Sequence, residues 1–194
     1  MKPYYLTTPI YYVNDKPHIG HAYTTLACDV LARFKRLDGY SVKFLTGTDE
    51  HGQKVQAAAE KAGVSPQEFT DTVSQNFRDL LVVMNFSNDQ FIRTTEPRHY
   101  KSCQAIWKRL MDKGFITLGK YKGWYSVRDE AFFTETELVD GKAPTGAPVS
   151  WVEEPSYFFN LSEWQQPLLD YYEANPNFIA PESKRKEVVS FVSG

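Results

Sequence analysis

Across a single proline turn near its start, the chain changes hydrophobic period. Tyr4 to Val13 is rich in β-branched and aromatic residues and predicts one buried strand. Asn14-Asp15-Lys16-Pro17 is a turn cluster. From Ile19 the spacing becomes helical, with Tyr23, Leu26, Ala27, Val30, Phe34 and Leu37 on one stripe and Gly39 placed to close the helix. Val42 to Leu45 is a second apolar run, ending in Gly47-Thr48-Asp49-Glu50-His51-Gly52. A strand, a helix and a strand at this spacing form a parallel crossover, which commits the opening of the chain to an α/β sheet.

The pattern continues in the same sense. Ser65-Pro66-Gln67-Glu68 combines an N-cap, a proline at the first helical position and a capping-box glutamate. Phe69, Val73, Phe77, Leu80, Leu81 and Met84 give that helix its inward stripe. Phe91-Ile92 marks a strand centre, and Pro97 opens a helix with Tyr100, Cys103, Ile106, Trp107 and Leu110 facing in. The order β-α-β-α-β-α is that of a doubly wound sheet. After Gly114 the helical period stops, and short aromatic runs broken by glycines predict a β-rich insertion with Asp140-Gly141 as a hairpin turn. Helix returns at Ser162, read as an N-cap before Trp164, Leu168, Leu169 and Tyr172, and a last helix begins near Pro181. The expected divisions are 1–113, 114–160 and 161–194.

Composition narrows the function classes. At 42% hydrophobic and 15% aromatic, the 194 residues can build a packed core. A formal net charge of −2 makes the chain as a whole no trap for nucleic acid, and Lys184-Arg185-Lys186 reads as a solvated face. Cys28 and Cys103 sit far apart in apolar helical patterns and are expected as buried free thiols, with no C-x-x-C pair present. No apolar run approaches about 18 residues and the start lacks a signal-peptide pattern, so the reading is cytosolic, with no membrane partner.

The chemistry concentrates where the first strand meets the first helix. His18 and His21 stand three residues apart on one side of the first helical turn. A helix N-terminus offers N–H groups and partial positive charge to phosphate, and two imidazoles can add donors for the charge on a departing pyrophosphate. Gly20 between them removes a side chain where a flat ring could lie against the backbone. Asp49 falls at the carboxyl end of a parallel strand, where open α/β sheets place ligands. A carboxylate there can pair with an α-ammonium group; its alternative role is to cap the following helix.

His18-Ile19-Gly20-His21, preceded by this strand and turn, resembles the HIGH motif of class I aminoacyl-tRNA synthetases. Thr8-Pro9-Ile10-Tyr11-Tyr12-Val13-Asn14 and Thr46-Gly47-Thr48-Asp49-Glu50-His51-Gly52 make the text similar to the methionyl-tRNA synthetase family, over the whole chain. The resemblance implies a Rossmann-like HIGH-type nucleotide-binding fold, of which this is the first half, carrying a small β-rich connective insertion. It implies ATP with Mg2+ bound at His18, Gly20 and His21, with the two histidines catalytic. It places the methionine amino group on Asp49 and the side chain against Ile10 and Tyr12, whose apolar and aromatic character suits a thioether. Methionine is activated to its adenylate and then transferred to tRNA(Met) by the full-length enzyme.

The family's KMSKS loop and anticodon-binding domain are not found in these residues. The chain is therefore expected to be a fragment, inactive without the C-terminal half of the same polypeptide, and half a sheet is expected to leave an apolar edge and face uncovered. Many members carry metal-binding cysteine pairs in the insertion. Ser126 and Asp129 stand at those places here, so no structural zinc is expected, with Trp124, Tyr125, Phe132 and Phe133 as the replacement core. Two readings remain beside this one: another HIGH-type nucleotidyl transferase, and a catalytically silent nucleotide- or RNA-binding module.

Overall fold

A computed structural model describes residues 1–194. The chain divides into two compact units, Met1–Gln104 and Ala105–Gly194. The first is an α/β unit around a parallel sheet. β1 (Pro3–Thr7) and β2 (Tyr11–Tyr12) both pair with β3 (Ser41–Asp49), and β4 (Gln90–Arg93) pairs with β3 on its other edge. The register shows how the first strand is broken. Thr7 pairs with Leu45 but Tyr11 pairs with Thr48, so β1 to β2 takes one residue more than β3 to cover the same distance. Pro9 lies in that extra stretch and has no N–H to give the ladder, so the expected single strand becomes two with a bulge between them. β1 is also not buried. Its side chains alternate between exposed and half-buried, and Tyr5 is exposed.

α1 (Ile19–Leu37) ends as its sequence predicts, with Gly39 at φ +81° beyond the Asp38 cap. Its burial does not follow the predicted stripe. Tyr23, Leu26, Val30, Phe34 and Leu37 are exposed, and the buried positions are Thr25, Asp29 and Ala32. The period was right and the inward face was not. The inward polar groups are tolerated because each is bonded: Thr25 Oγ1 lies 2.8 Å from Tyr11 Oη, and Asp29 accepts from Ser87 N and Oγ at 2.6 Å each and from Arg33. An apolar helix face and an outer edge of β1 are thus left open.

α2 (Gln53–Ala62), which the apolar pattern did not reveal, precedes α3 (Pro66–Val83). α3 begins with the expected capping box, in which Ser65 Oγ accepts from Glu68 N and Glu68 Oε2 accepts from Ser65 N. Its Val73, Phe77 and Leu81 join Tyr11, Val13, Val55 and Phe91 in the core, while Met84 is exposed. α4 (Pro97–Asp112) buries none of its residues, so the expected inward set of Tyr100, Cys103, Ile106, Trp107 and Leu110 is corrected. Cys103 is exposed and Cys28 half-buried; both thiols are free, but neither is the buried thiol expected.

The second unit holds a three-stranded antiparallel sheet in the order β6-β5-β7. β5 (Ile116–Ser126) pairs with β6 (Ala131–Phe133) and along its length with β7 (Ser150–Phe159). Asp140 and Gly141 both have positive φ between the bridged residues Val139 and Lys142, the two-residue turn the sequence predicts. The cluster of Trp124, Tyr125, Phe132 and Phe133 is only half-buried; the fully enclosed positions nearby are small, namely Ser126, Ala143 and Ala147. Ser162 does not cap a helix. It lies inside a 3-10 turn, Leu161–Trp164, ahead of α5 (Gln165–Ala174), and its hydroxyl donates back to Asn160 Oδ1. α6 (Glu182–Ser193) begins after Pro181 as expected. Lys184 pairs with Glu187 and Arg185 donates to Tyr172 O, so the basic run is an ordinary paired surface.

Candidate functional site

The turn after β2 delivers His18 to the N-cap of α1, and the two histidines close a capping box on each other. His18 Nδ1 accepts from Gly20 N at 3.1 Å, and His21 Nδ1 accepts from His18 N at 3.0 Å. A main-chain N–H can only donate, so each Nδ1 must be unprotonated and each neutral ring carries its proton on Nε2. The consequence alters the expected chemistry. The main-chain N–H groups of His18 and Gly20 are taken up by the imidazoles, which present Nε2–H groups in their place. The rings lie 3.9 Å apart, centroid to centroid.

His21 is further fixed by edge-on packing against Tyr11 at 4.8 Å and Phe77 at 5.2 Å. Burial, with a smaller contribution from His18, lowers the His21 pKa below its ordinary value, which favours the neutral donor. Gly20 serves this cap directly. A Cβ there would sit 2.9 Å from His18 Cε1, so the ring that lies against the Gly20 backbone is that of His18 itself.

Asp49 ends β3 on the same carboxyl edge of the sheet from which the chain runs into α1. It pairs in register with Tyr12, and its half-buried carboxylate makes no hydrogen bond or ion pair. It does not cap α2, whose N-cap is Gly52 without a side-chain bond. Tyr12 Oη donates to His51 O at 2.8 Å, and Ile10 is exposed in the break between β1 and β2. Gly52 has φ +113° and a Cβ there would come 2.2 Å from Tyr12 Oη, so only glycine lets this tyrosine reach the loop. The arrangement can offer two imidazole donors to an anion and one unneutralised carboxylate to a cation.

The family described as tRNA synthetases class I (M) matches residues 4–148. The chain belongs to this family. It is 65% identical over 190 residues to the methionine–tRNA ligase of Rickettsia conorii, covering 97% of this chain and 37% of that protein. It is 58% identical to that of Mesorhizobium japonicum, covering 97% and 38%. Mycobacterium tuberculosis methionyl-tRNA synthetase in complex with methionyl-adenylate superposes with a TM-score of 0.92 at 54% identity, over all of this chain and 39% of that one. The free state of the same enzyme gives 0.76 at 49% identity, again over all of this chain and 38% of that one. The chain therefore spans well under half the length of these relatives, and its fold is the Rossmann-like one of the family.

Two sets of contacts escaped the sequence reading. Glu50 is buried, with a bidentate ion pair to Arg93 and bonds from Thr48 and Thr95. The adjacent pair Asp49-Glu50 where β3 ends was the available signal, since neighbouring side chains on an extended chain point to opposite sides. In the second unit, Ser126 Oγ donates to Asp129 Oδ2 at 2.9 Å and accepts from Asp129 N, and Thr145 Oγ1 donates to the same carboxylate at 2.6 Å. Thr145 is the leading cause of an Asp129 carboxyl held below its ordinary pKa. The side chains of Ser126 and Asp129 are thus engaged with each other. No group of three or more His, Cys, Asp or Glu side chains is gathered to hold a metal, and no helix is long and apolar enough to cross a membrane.

Proposed function

We propose that this chain supplies the ATP and methionine subsites of a methionine–tRNA ligase, with His18, Gly20 and His21 at the nucleotide and Asp49, Ile10 and Tyr12 at the amino acid. The observation that carries the reading is the joint placement, on one sheet edge, of two Nε2–H donors and one unpaired carboxylate. Asp49 takes the α-ammonium group, and the ladder partner Tyr12 with exposed Ile10 offers the side chain an aromatic and apolar wall. The substrate carboxylate is then free to attack the α-phosphate of ATP. A C–O–P linkage forms, the bond to pyrophosphate breaks, and His18 and His21 donate to the oxygens on which charge accumulates. Mg2+ enters as the counter-ion of the nucleotide. Transfer of the methionyl group to tRNA(Met) belongs to the full-length polypeptide, in the cytoplasm, and needs the C-terminal half that carries the KMSKS loop.

The test is methionine-dependent ATP–pyrophosphate exchange by the full-length protein and its His21→Ala and Asp49→Ala variants. Exchange with methionine alone, lost in both variants, supports the reading. Exchange with another amino acid would keep the fold and remove the specificity. Absence of exchange with every amino acid would leave the nucleotidyl-transferase or binding-module alternatives.

A further inference from the structure

We propose that Glu50, acting through Arg93, is a positioning residue that holds Asp49 ready for the substrate ammonium; this rests on the function proposed above. Asp49 and Glu50 are adjacent carboxylates with opposite fates. The Glu50 side chain has no exposed surface, and its two oxygens receive four hydrogen bonds. Oε1 takes Thr48 Oγ1 and Arg93 Nε at 2.7 Å each; Oε2 takes the Arg93 guanidinium at 2.9 Å and Thr95 Oγ1 at 2.6 Å. Such a carboxylate has no acceptor capacity left for a ligand. Its neighbour Asp49 has all of its own.

The network reaches three elements around Asp49. Arg93 ends β4, pairs in register with Thr48, and bonds Asp71 of α3 at 2.5 Å as well as Glu50. The bonds from Glu50 foremost raise the Arg93 pKa further, so the guanidinium is a permanent cation. One residue on, Glu50 N donates to Thr94 Oγ1 at 2.9 Å. The same hydroxyl lies 3.0 Å from His51 Nδ1, and His51 O accepts from Tyr12. The main chain on both sides of Asp49 is therefore clamped, from β2 on one edge and from β4 and α3 on the other. With Glu50 and Asp71 both on Arg93, this group carries one net negative charge, and no cation is left over to neutralise Asp49 before substrate arrives.

The experiment measures exchange kinetics for the full-length protein with Glu50→Gln, Arg93→Lys, Asp71→Asn and Thr95→Val, together with melting temperature. Glu50→Gln keeps the shape and loses the charged pair; Arg93→Lys keeps the charge and loses the fork. Both are expected to raise the methionine KM about tenfold, equal to about 1.4 kcal/mol, with the ATP KM within about twofold. Asp71→Asn frees Arg93 from α3 but leaves the Glu50 pair intact, and is expected to raise the methionine KM less than Glu50→Gln does. Thr95→Val, which removes one donor, raises the methionine KM less and carries the test if Glu50→Gln does not fold. An unchanged methionine KM in folded Glu50→Gln or in Thr95→Val, or an equal rise in both KM values, overturns the proposal. If the wild type shows no methionine-dependent exchange, or Asp49→Asn retains it in full, the underlying function has failed instead.

Discussion

His21 Nδ1 accepts the main-chain N–H of His18 at 3.0 Å, so the second histidine of the motif, standing on α1, closes the cap that the first begins. The pair therefore has a structural and a chemical duty on different ring nitrogens. His18→Asn separates them, since asparagine is among the best N-cap residues but offers no Nε2–H at the imidazole position. The expected result is a melting temperature close to wild type with exchange reduced about 10²–10³-fold, the usual loss for one donor at developing charge. Equal losses of stability and activity would mean that the cap is the whole function.

Asp29 anchors α1 to the Ser87 loop. Burial works to raise its pKa, but the bonds from Ser87 and Arg33 together outweigh this and leave the carboxyl below its ordinary value. The folded value lies below the unfolded one, so its contribution is fully present above about pH 3.9. It is lost as pH falls through the native value. Asp29→Ala is expected to cost about 1.5–3 kcal/mol by removing the charged acceptor shared by Ser87 and Arg33. Denaturant melts at neutral pH measure this, and the gap between wild type and variant should narrow in melts carried toward pH 3.

Gly52→Ala tests the tyrosine beside Asp49. The added Cβ collides with Tyr12 Oη and strains a backbone at φ +113°. Tyr12→Phe removes the His51 bond without that strain. Both variants are expected to raise the methionine KM, and Gly52→Ala alone to lower the melting temperature as well. A Gly52→Ala protein with wild-type kinetics would remove Tyr12 from the methionine pocket.

The second unit is expected to need no zinc. Ser126, Asp129 and Thr145 are knit by hydrogen bonds that hold this loop without a metal ligand set. Treatment with a chelator is expected to leave the melting temperature unchanged, whereas Asp129→Ala lowers it. One equivalent of zinc found by metal analysis would refute this.

Local rules were enough for much of the fold. The capping box at Ser65 and Glu68, the glycine stop after α1 and the Asp140-Gly141 turn each depend on residues within a few positions, where the backbone's hydrogen-bonding needs are met by near neighbours. The histidine motif was legible for the same reason, as was the placing of Asp49 at a strand end. What failed was inference about which face is covered. The stripe of Tyr23, Leu26, Val30 and Phe34 is apolar, yet Thr25, Asp29 and Ala32 are the residues buried. Hydrophobic period tells a helix from a strand, but a helix's inward face depends on what packs there.

The sequence by itself determined the alternation of strands and helices, the two-histidine start of α1 and the family. Only the tertiary structure decided the roles within the acidic pair, giving Asp49 an open carboxylate and Glu50 a saturated one. It also decided that the imidazoles cap the helix through Nδ1 and so present Nε2–H donors. Both outcomes turn on partners distant along the chain, such as Arg93, Thr95 and Phe77, or on hydrogen-bond directions that residue order does not specify.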